Sequence, residues 1–247
     1  MPVAYLSRLI SPERSARANL QLGICLAFVA GAVNAGGFLA IGQYTSHMTG
    51  IVSSAADNLV LGNIALAAAG FLSLGSFVSG AATTALLVNY AKRNGKTNIY
   101  TTPLIIEALL LLVFGFVGAR LQLHELVSVS LTTVLLCYVM GLQNALVTKI
   151  SNAEIRTTHL TGLVTDFGIE LGKLLYWNRS GSGTQQLVLA NRKRLVVHSS
   201  LIVSFFTGGL TGALGFKYVG FSSTVPLAVV LVLISMAPSL KPSKPTL

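Results

Sequence analysis

Apolar residues run through this chain in long blocks, and the short stretches between them hold nearly all of its charge. Six blocks stand out, at about 20–42, 64–91, 103–121, 126–148, 195–216 and 224–240. Several exceed the roughly 18 residues that a helix needs to cross the hydrocarbon core, so each block predicts a transmembrane helix. The fifth is rich in Gly and Ser, and the sixth is short. Pro103 and Pro226 open the third and sixth, where a missing N–H is harmless because first-turn donors have no partner within the helix. Arg8, Arg14 and Arg17 precede the first block and resemble the start of a signal peptide. That block is longer than a typical signal core and more spans follow, so it reads as an uncleaved first helix.

Composition supports this pattern. Hydrophobic residues make up 53% of the chain and charged residues 10%, against roughly 25% charged in an average globular protein. So few charges cannot cover a water-soluble surface. The net charge of +10 would suggest nucleic acid in a soluble protein, but here it orients helices. With the N-terminus in the cytoplasm, 15 of the 17 basic residues fall on the inner side, and only Arg120 and Lys217 lie outside. Tyr90, Tyr100, Tyr176 and Trp177 then sit near the inner interface, and Tyr44 and Tyr218 near the outer one, depths that amphipathic rings prefer. Cys25 and Cys137 both lie inside apolar blocks, where helix packing accounts for them better than a disulfide or a metal pair.

The chain also repeats itself. Gly31-Ala-Val-Asn34-Ala35 is followed by His47-Met-Thr49-Gly50, and Gly141-Leu-Gln-Asn144-Ala145 by His159-Leu-Thr161-Gly162. The matches keep their order about 110 residues apart, and Pro103-Leu104 and Pro226-Leu227 extend them. Three spans per half force the second copy to enter the membrane from the opposite side, as in the inverted repeats of many transporters. The organisation expected is a cytoplasmic segment 1–19, a first repeat 20–122, a second repeat 123–240 and a cytoplasmic tail 241–247. A Gly/Ser-rich, basic linker at 178–194 lies within the second repeat. Segments 51–62 and 163–176 are mildly apolar and too short to span, so they predict short helices that re-enter the bilayer or lie along its surface. The motif threonine is placed to cap each.

At these residues the chain resembles the YoaK family of bacterial membrane proteins, a group with a domain of unknown function. The resemblance covers roughly residues 18–240. It is carried by Asn34-Ala-Gly-Gly-Phe38, His47-Met-Thr-Gly50, Gly141-Leu-Gln-Asn144-Ala145 and Arg156-Thr-Thr-His-Leu-Thr-Gly162. Asn34 stands where the family pattern has Asp, and Ile51 where it has Asn. The resemblance implies a helical, multi-pass protein of the bacterial inner membrane and names no substrate.

The candidate pathway residues are Asn34, His47, Thr49, Gly50, Asn144, His159, Thr161, Gly162 and Glu107. Asn34 and Asn144 either hydrogen-bond between helices or line a pathway. His47 and His159 suit proton coupling, or simply bond the turn ahead of a short helix. Glu107, inside the third span, faces either the protein interior or water near the inner interface, and its counterpart Val230 carries no charge. Gly23, Ala27, Gly31 and Ala35 form a small-residue stripe for close packing, as do Gly208 and Gly212, while Gly75 and Gly80 thin the second span. No phosphate loop, catalytic triad, metal-ligand spacing or cofactor motif is present in the sequence. The expectation is a transporter of a small solute or ion, not an enzyme and without a cofactor, in contact with lipid and open to forming a homodimer. A channel of the same symmetry and a non-transporting scaffold or assembly factor are the alternatives.

Overall fold

The computed structural model describes residues 16–96, 98–121, 125–150, 160–177 and 187–236, with side chains placed for all of these except 16–19, 121 and 125–130. Every regular element among the described residues is helical. In chain order they are α1 (Ala16–Ile41), α2 (Met48–Val60), α3 (Ile64–Arg93), α4 (Thr101–Leu121), α5 (Glu125–Ile150), α6 (Leu160–Leu175), α7 (Arg192–Tyr218), a 3-10 turn (Gly220–Ser223) and α8 (Thr224–Met236). Among the described residues, five apolar stretches are long enough to cross a bilayer: Leu20–Ile41, Ile64–Arg93, Thr101–Arg120, Leu131–Ile150 and Arg192–Tyr218. This marks the chain as a helical membrane protein. The sixth expected span, 224–240, is represented by α8, a shorter apolar helix that continues from the turn over Gly220–Met236; residues 237–240 lie outside the described part. Most of the linker expected at 178–194 also lies outside it, and α7 takes up the last three linker positions from Arg192.

The short helices follow from local chain reversals. Gly42 has φ +74° and its N–H donates to the Phe38 carbonyl at 2.7 Å, which ends α1 in the left-handed conformation that glycine adopts without strain. Gly62, at φ +78°, ends α2 in the same way.

Two helix pairs form the frame. α1 lies against α7, and α3 against α5, both with backbones in close approach. The two seams use corresponding residues at a constant shift along each helix. A Cβ at Gly31 would overlap the Phe205 carbonyl, and one at Gly141 the Phe77 carbonyl. Gly208 sits under the Phe28 carbonyl as Gly80 sits under that of Tyr138. The Ser204 hydroxyl donates to the Ile24 carbonyl at 2.7 Å, and the Ser76 hydroxyl to that of Val134 at 2.6 Å. In lipid, where burial of apolar side chains supplies no drive for helices to associate, such close packing and interhelical hydrogen bonds hold helices together. Gly75, expected to thin the second span, has open space around it.

α4 and α8 pack on each other across the remaining side, with Thr101 Oγ1 donating to the Ser235 carbonyl at 3.2 Å. Phe114, Phe216 and Phe221 close one end, with ring centroids 5.5–6.2 Å apart. α4 also meets α5, where the Tyr100 hydroxyl donates to the Lys149 carbonyl at 3.3 Å. α2 rests on α3, with Gly70 giving Ala55 room.

α6 is tied to the start of α7 by one carboxylate. Glu170, with its side chain 5% exposed, pairs with Lys173 at 2.9 Å and accepts the Asn191 N–H at 2.6 Å. Asn191 in turn caps α7, its Oδ1 accepting from the N–H groups of Lys193 and Arg194. The Lys173 and Asn191 hydrogen bonds hold the Glu170 carboxyl below the usual carboxylate range.

Two predictions follow from this frame. Gly31→Leu and Gly208→Leu, which force a side chain against a carbonyl, each destabilise by about 1–3 kcal/mol or more. Gly75→Ala is neutral or stabilising, because Ala is the better helix former. Thermal unfolding in detergent checks all three. Because its folded pKa is depressed, Glu170 stabilises the fold above the unfolded carboxylate pKa, and that contribution is lost as pH falls through the folded pKa. Amide protection at the start of α7, corrected for the intrinsic pH dependence of exchange, therefore falls on acidification in the wild type. In Glu170→Gln it is already reduced at neutral pH and responds less to acid.

Candidate functional site

The end of α1 and the start of α2 are joined by a short loop that folds back beside α1. Asn34 in α1 holds this loop: its Oδ1 accepts from the Ser46 hydroxyl at 2.9 Å and from the Ser46 N–H at 3.3 Å. Tyr44 stacks on Phe38 with ring centroids 4.4 Å apart. His47 is the N-cap residue of α2, but its side chain caps nothing. Thr49 is not the cap either, as the sequence pattern predicted. It lies in the first turn, and the helix begins one residue earlier, at Met48. The motif glycine has a different reason. A Cβ at Gly50 would overlap the His47 imidazole, so the ring folds over the first turn only because position 50 is bare.

Beside this loop is a cleft of about 630 Å³. It is lined by Asn34, Tyr44, Ser46 and His47 from the first half of the chain and by Leu160, Thr161, Val164, Thr165 and Phe205 from the second. The N-terminal ends of α2 and α6 thus border one space. The first turns of both helices carry backbone N–H groups that the helix itself leaves without acceptors, along with a partial positive charge. The Ser46, Thr161 and Tyr44 hydroxyls and the His47 imidazole add polar groups to the wall, and no carboxylate lines it among the described residues. Phe205, Leu160 and Val164 supply the apolar part. A separate hollow of about 370 Å³ lies between α2, α3 and α5, lined in part by Ile51, Ser54, Asn58 and Thr133.

Of the predicted residues, the cleft gathers Asn34, His47 and Thr161. Thr49, Gly50 and Gly162 stand next to it in the first turns of α2 and α6. His159 lies outside the described residues. Asn144 does not line the cleft. It is half-buried in α5, and its Oδ1 has no partner among the described residues. Glu107 is fully buried in α4, and neither of its oxygens has a partner there either, which decides between its two predicted surroundings. Asp57 and Asp166 are exposed. Both cysteines are free, and no three potential metal ligands cluster among the described residues.

Sequence reasoning missed Ser46, Tyr44, Thr165, Phe205 and Gln143. Gln143 is fully buried, its Nε2 donating to the Leu26 carbonyl at 3.4 Å. Its place beside Asn144, as an amide in an apolar helix, was the available signal. Ser46 directly precedes the motif, but nothing in the local pattern paired it with Asn34, twelve residues earlier.

A family described as protein of unknown function (DUF1275) matches residues 22–237. The chain belongs to this family. That agrees with the YoaK-like resemblance of the two motif pairs, and the matched region of this DUF1275 protein holds every element from α2 to α8 and nearly all of α1. No curated protein and no solved structure matches it.

Asn34 acts through an acceptor oxygen alone, which a carboxylate also supplies, so Asp at this position would fit the same loop contact. Asn34→Ala leaves the Ser46 N–H and hydroxyl without their acceptor and lowers stability by about 1–3 kcal/mol, whereas Asn34→Asp preserves most of it. Thermal unfolding of the two variants side by side checks this.

Proposed function

We propose that this protein is a small-solute transporter of the bacterial inner membrane, made of two inverted three-helix repeats that share one substrate cleft. On this reading α1 to α4 form the first repeat and α5 to α8 the second, with α8 as the sixth membrane helix. The matched seams support it: the contacts of α1 with α7 recur between α5 and α3 at constant shifts, as a two-fold relation requires. Lys/Arg bias places both termini in the cytoplasm.

The observation that carries the proposal is the cleft bordered by the starts of both short helices. α2 follows the outer end of α1, and α6 follows the inner end of α5. Their N-termini can meet only if both dip into the bilayer, as broken helices do in several transporter folds. Helix N-termini, hydroxyl groups and His47, with no carboxylate in the wall among the described residues, favour a solute bearing anionic or acceptor-rich groups. No hydroxyl of the wall is hydrogen-bonded to His47 among the described residues, and on this reading the solute passes chemically unchanged. Rocking of one helix pair against the other would open the cleft to each side in turn.

A thermal-shift screen of the purified protein against inorganic anions, organic acids and amino acids tests this across pH. A ligand for the cleft stabilises by about 2.7 kcal/mol when present at a hundredfold excess over its Kd. His47→Ala combined with Thr161→Ala is expected to remove that shift. A ligand that stabilises the double variant equally well places the site elsewhere. A panel with no stabilising member, together with no flux in proteoliposomes, rejects transport in favour of a scaffold.

A further inference from the structure

We propose that Glu107 is a proton-binding site at the midpoint of the protein, taking up and releasing one proton as water gains and loses access to it. It is the one carboxylate within the five apolar spans. It is fully buried, and both of its oxygens are unpartnered among the described residues. A carboxylate inside a membrane-spanning helix is costly and normally paired or turned toward water, so an unpaired one marks a functional position.

Its depth follows from helix register. Thr101 bonds Ser235 across the antiparallel α4–α8 pair. The same number of residues forward along α4 and back along α8 sets Glu107 beside Val229 and Val230. The correspondence of Pro103 with Pro226 also carries Glu107 onto Val230. Glu107 is therefore level with its own counterpart, as only a residue at the crossing of the two-fold axis can be. On α5, the Tyr100–Lys149 bond sets the level of Glu107 at Leu142 and Gln143. Gln143 is fully buried there and its Oε1 is an acceptor without a partner among the described residues.

The charges on the elements packed against Glu107 offer no counter-ion among the described residues. α8 and the 3-10 turn carry no titratable residue. The placed side chains of α5 include Cys137, Tyr138 and Lys149. Tyr138 is engaged with Thr83 on α3, and Lys149 lies about two turns away, beside Tyr100. α3 contributes Tyr90, Lys92 and Arg93, exposed at its C-terminal end. A metal cation would need several ligands together, and no three His, Cys, Asp or Glu side chains cluster to hold one among the described residues. A proton needs only the carboxyl itself. The neutral acid then carries an O–H donor at the level of a buried acceptor, and on release the proton passes to water, leaving the carboxylate.

Proton binding here does not depend on the transport reading, although within it Glu107 would supply the coupling ion. The test uses infrared spectroscopy of the full chain in lipid nanodiscs, with the proton itself as the probe. At neutral pH the wild type is expected to show the C=O stretch of a protonated carboxylic acid. The band should shift in D2O, fade reversibly at alkaline pH and be absent from Glu107→Gln. Asp166→Asn, as a control, should keep it. Absence of a band that distinguishes wild type from Glu107→Gln overturns the proposal. So does a band insensitive to both D2O and pH, which would mean a sealed structural acid. A failed ligand screen would count against the transporter alone and leave the infrared result standing.

Discussion

Everything in this fold depends on how closely two pairs of helix backbones approach. At Gly31, Gly208, Gly80 and Gly141 a carbonyl of the neighbouring helix occupies the space where a side chain would stand. Apolar side chains gain nothing by leaving lipid for a protein interior of equal polarity, so shape and hydrogen bonding have to hold the helices together. The seams place α1 beside α7 and α5 beside α3, and this exchange of partners between halves brings a loop of one half next to a short helix of the other. The cleft is a by-product of that interleaving. Neither half could enclose it alone.

The larger features were legible in the sequence because they depend on bulk properties. Lengths of apolar blocks set five of the spans, and the small-residue stripe ending at Ala35 anticipated the seam through Gly31. The paired motifs marked Asn34, His47 and Thr161, which do meet. The local details failed where tertiary contacts overrode a local rule. A threonine at a helix start normally caps it, but here the chain enters α2 through His47, whose ring lies over Gly50, and Thr49 falls one position too late. Asn144 repeats Asn34 in sequence but not in surroundings. The residues that would match Ser46 and His47 in the second half fall at 158 and 159, outside the described structure. Phe205 was invisible as a cleft residue because its role comes from the α1–α7 seam, not from its neighbours in the chain.

Polar groups inside the protein divide into those that hold structure and those left without a partner. Ser76, Ser204 and Thr84 spend their hydroxyls on carbonyls across a seam, and Asn34 fixes a loop. The Glu107 carboxyl, Gln143 Oε1 and Asn144 Oδ1 are buried without partners among the described residues. All of these are acceptors, on two neighbouring helices, so the interior of α4 and α5 is short of donors. That imbalance separates this part of the core from the seams, where the Ser76, Ser204 and Thr84 hydroxyls each donate to a carbonyl.

The two seams match in position but not in strength. Where α5 carries Tyr138, whose hydroxyl donates to Thr83 at 2.7 Å, α1 carries Phe28. Where α3 carries Thr84, donating to the Leu142 carbonyl at 2.9 Å, α7 carries Gly212, bare against Ala32. These two differences give the α3–α5 seam two interhelical hydrogen bonds that the α1–α7 seam lacks at the matching positions. At roughly 0.6 kcal/mol or more for each interhelical hydrogen bond, the difference is large enough to bias which joint gives way first. A molecule with two equivalent joints would move indifferently about either. On the proposed rocking motion, the missing hydroxyl and the missing side chain would make the α1–α7 seam the hinge and the α3–α5 seam the fixed side.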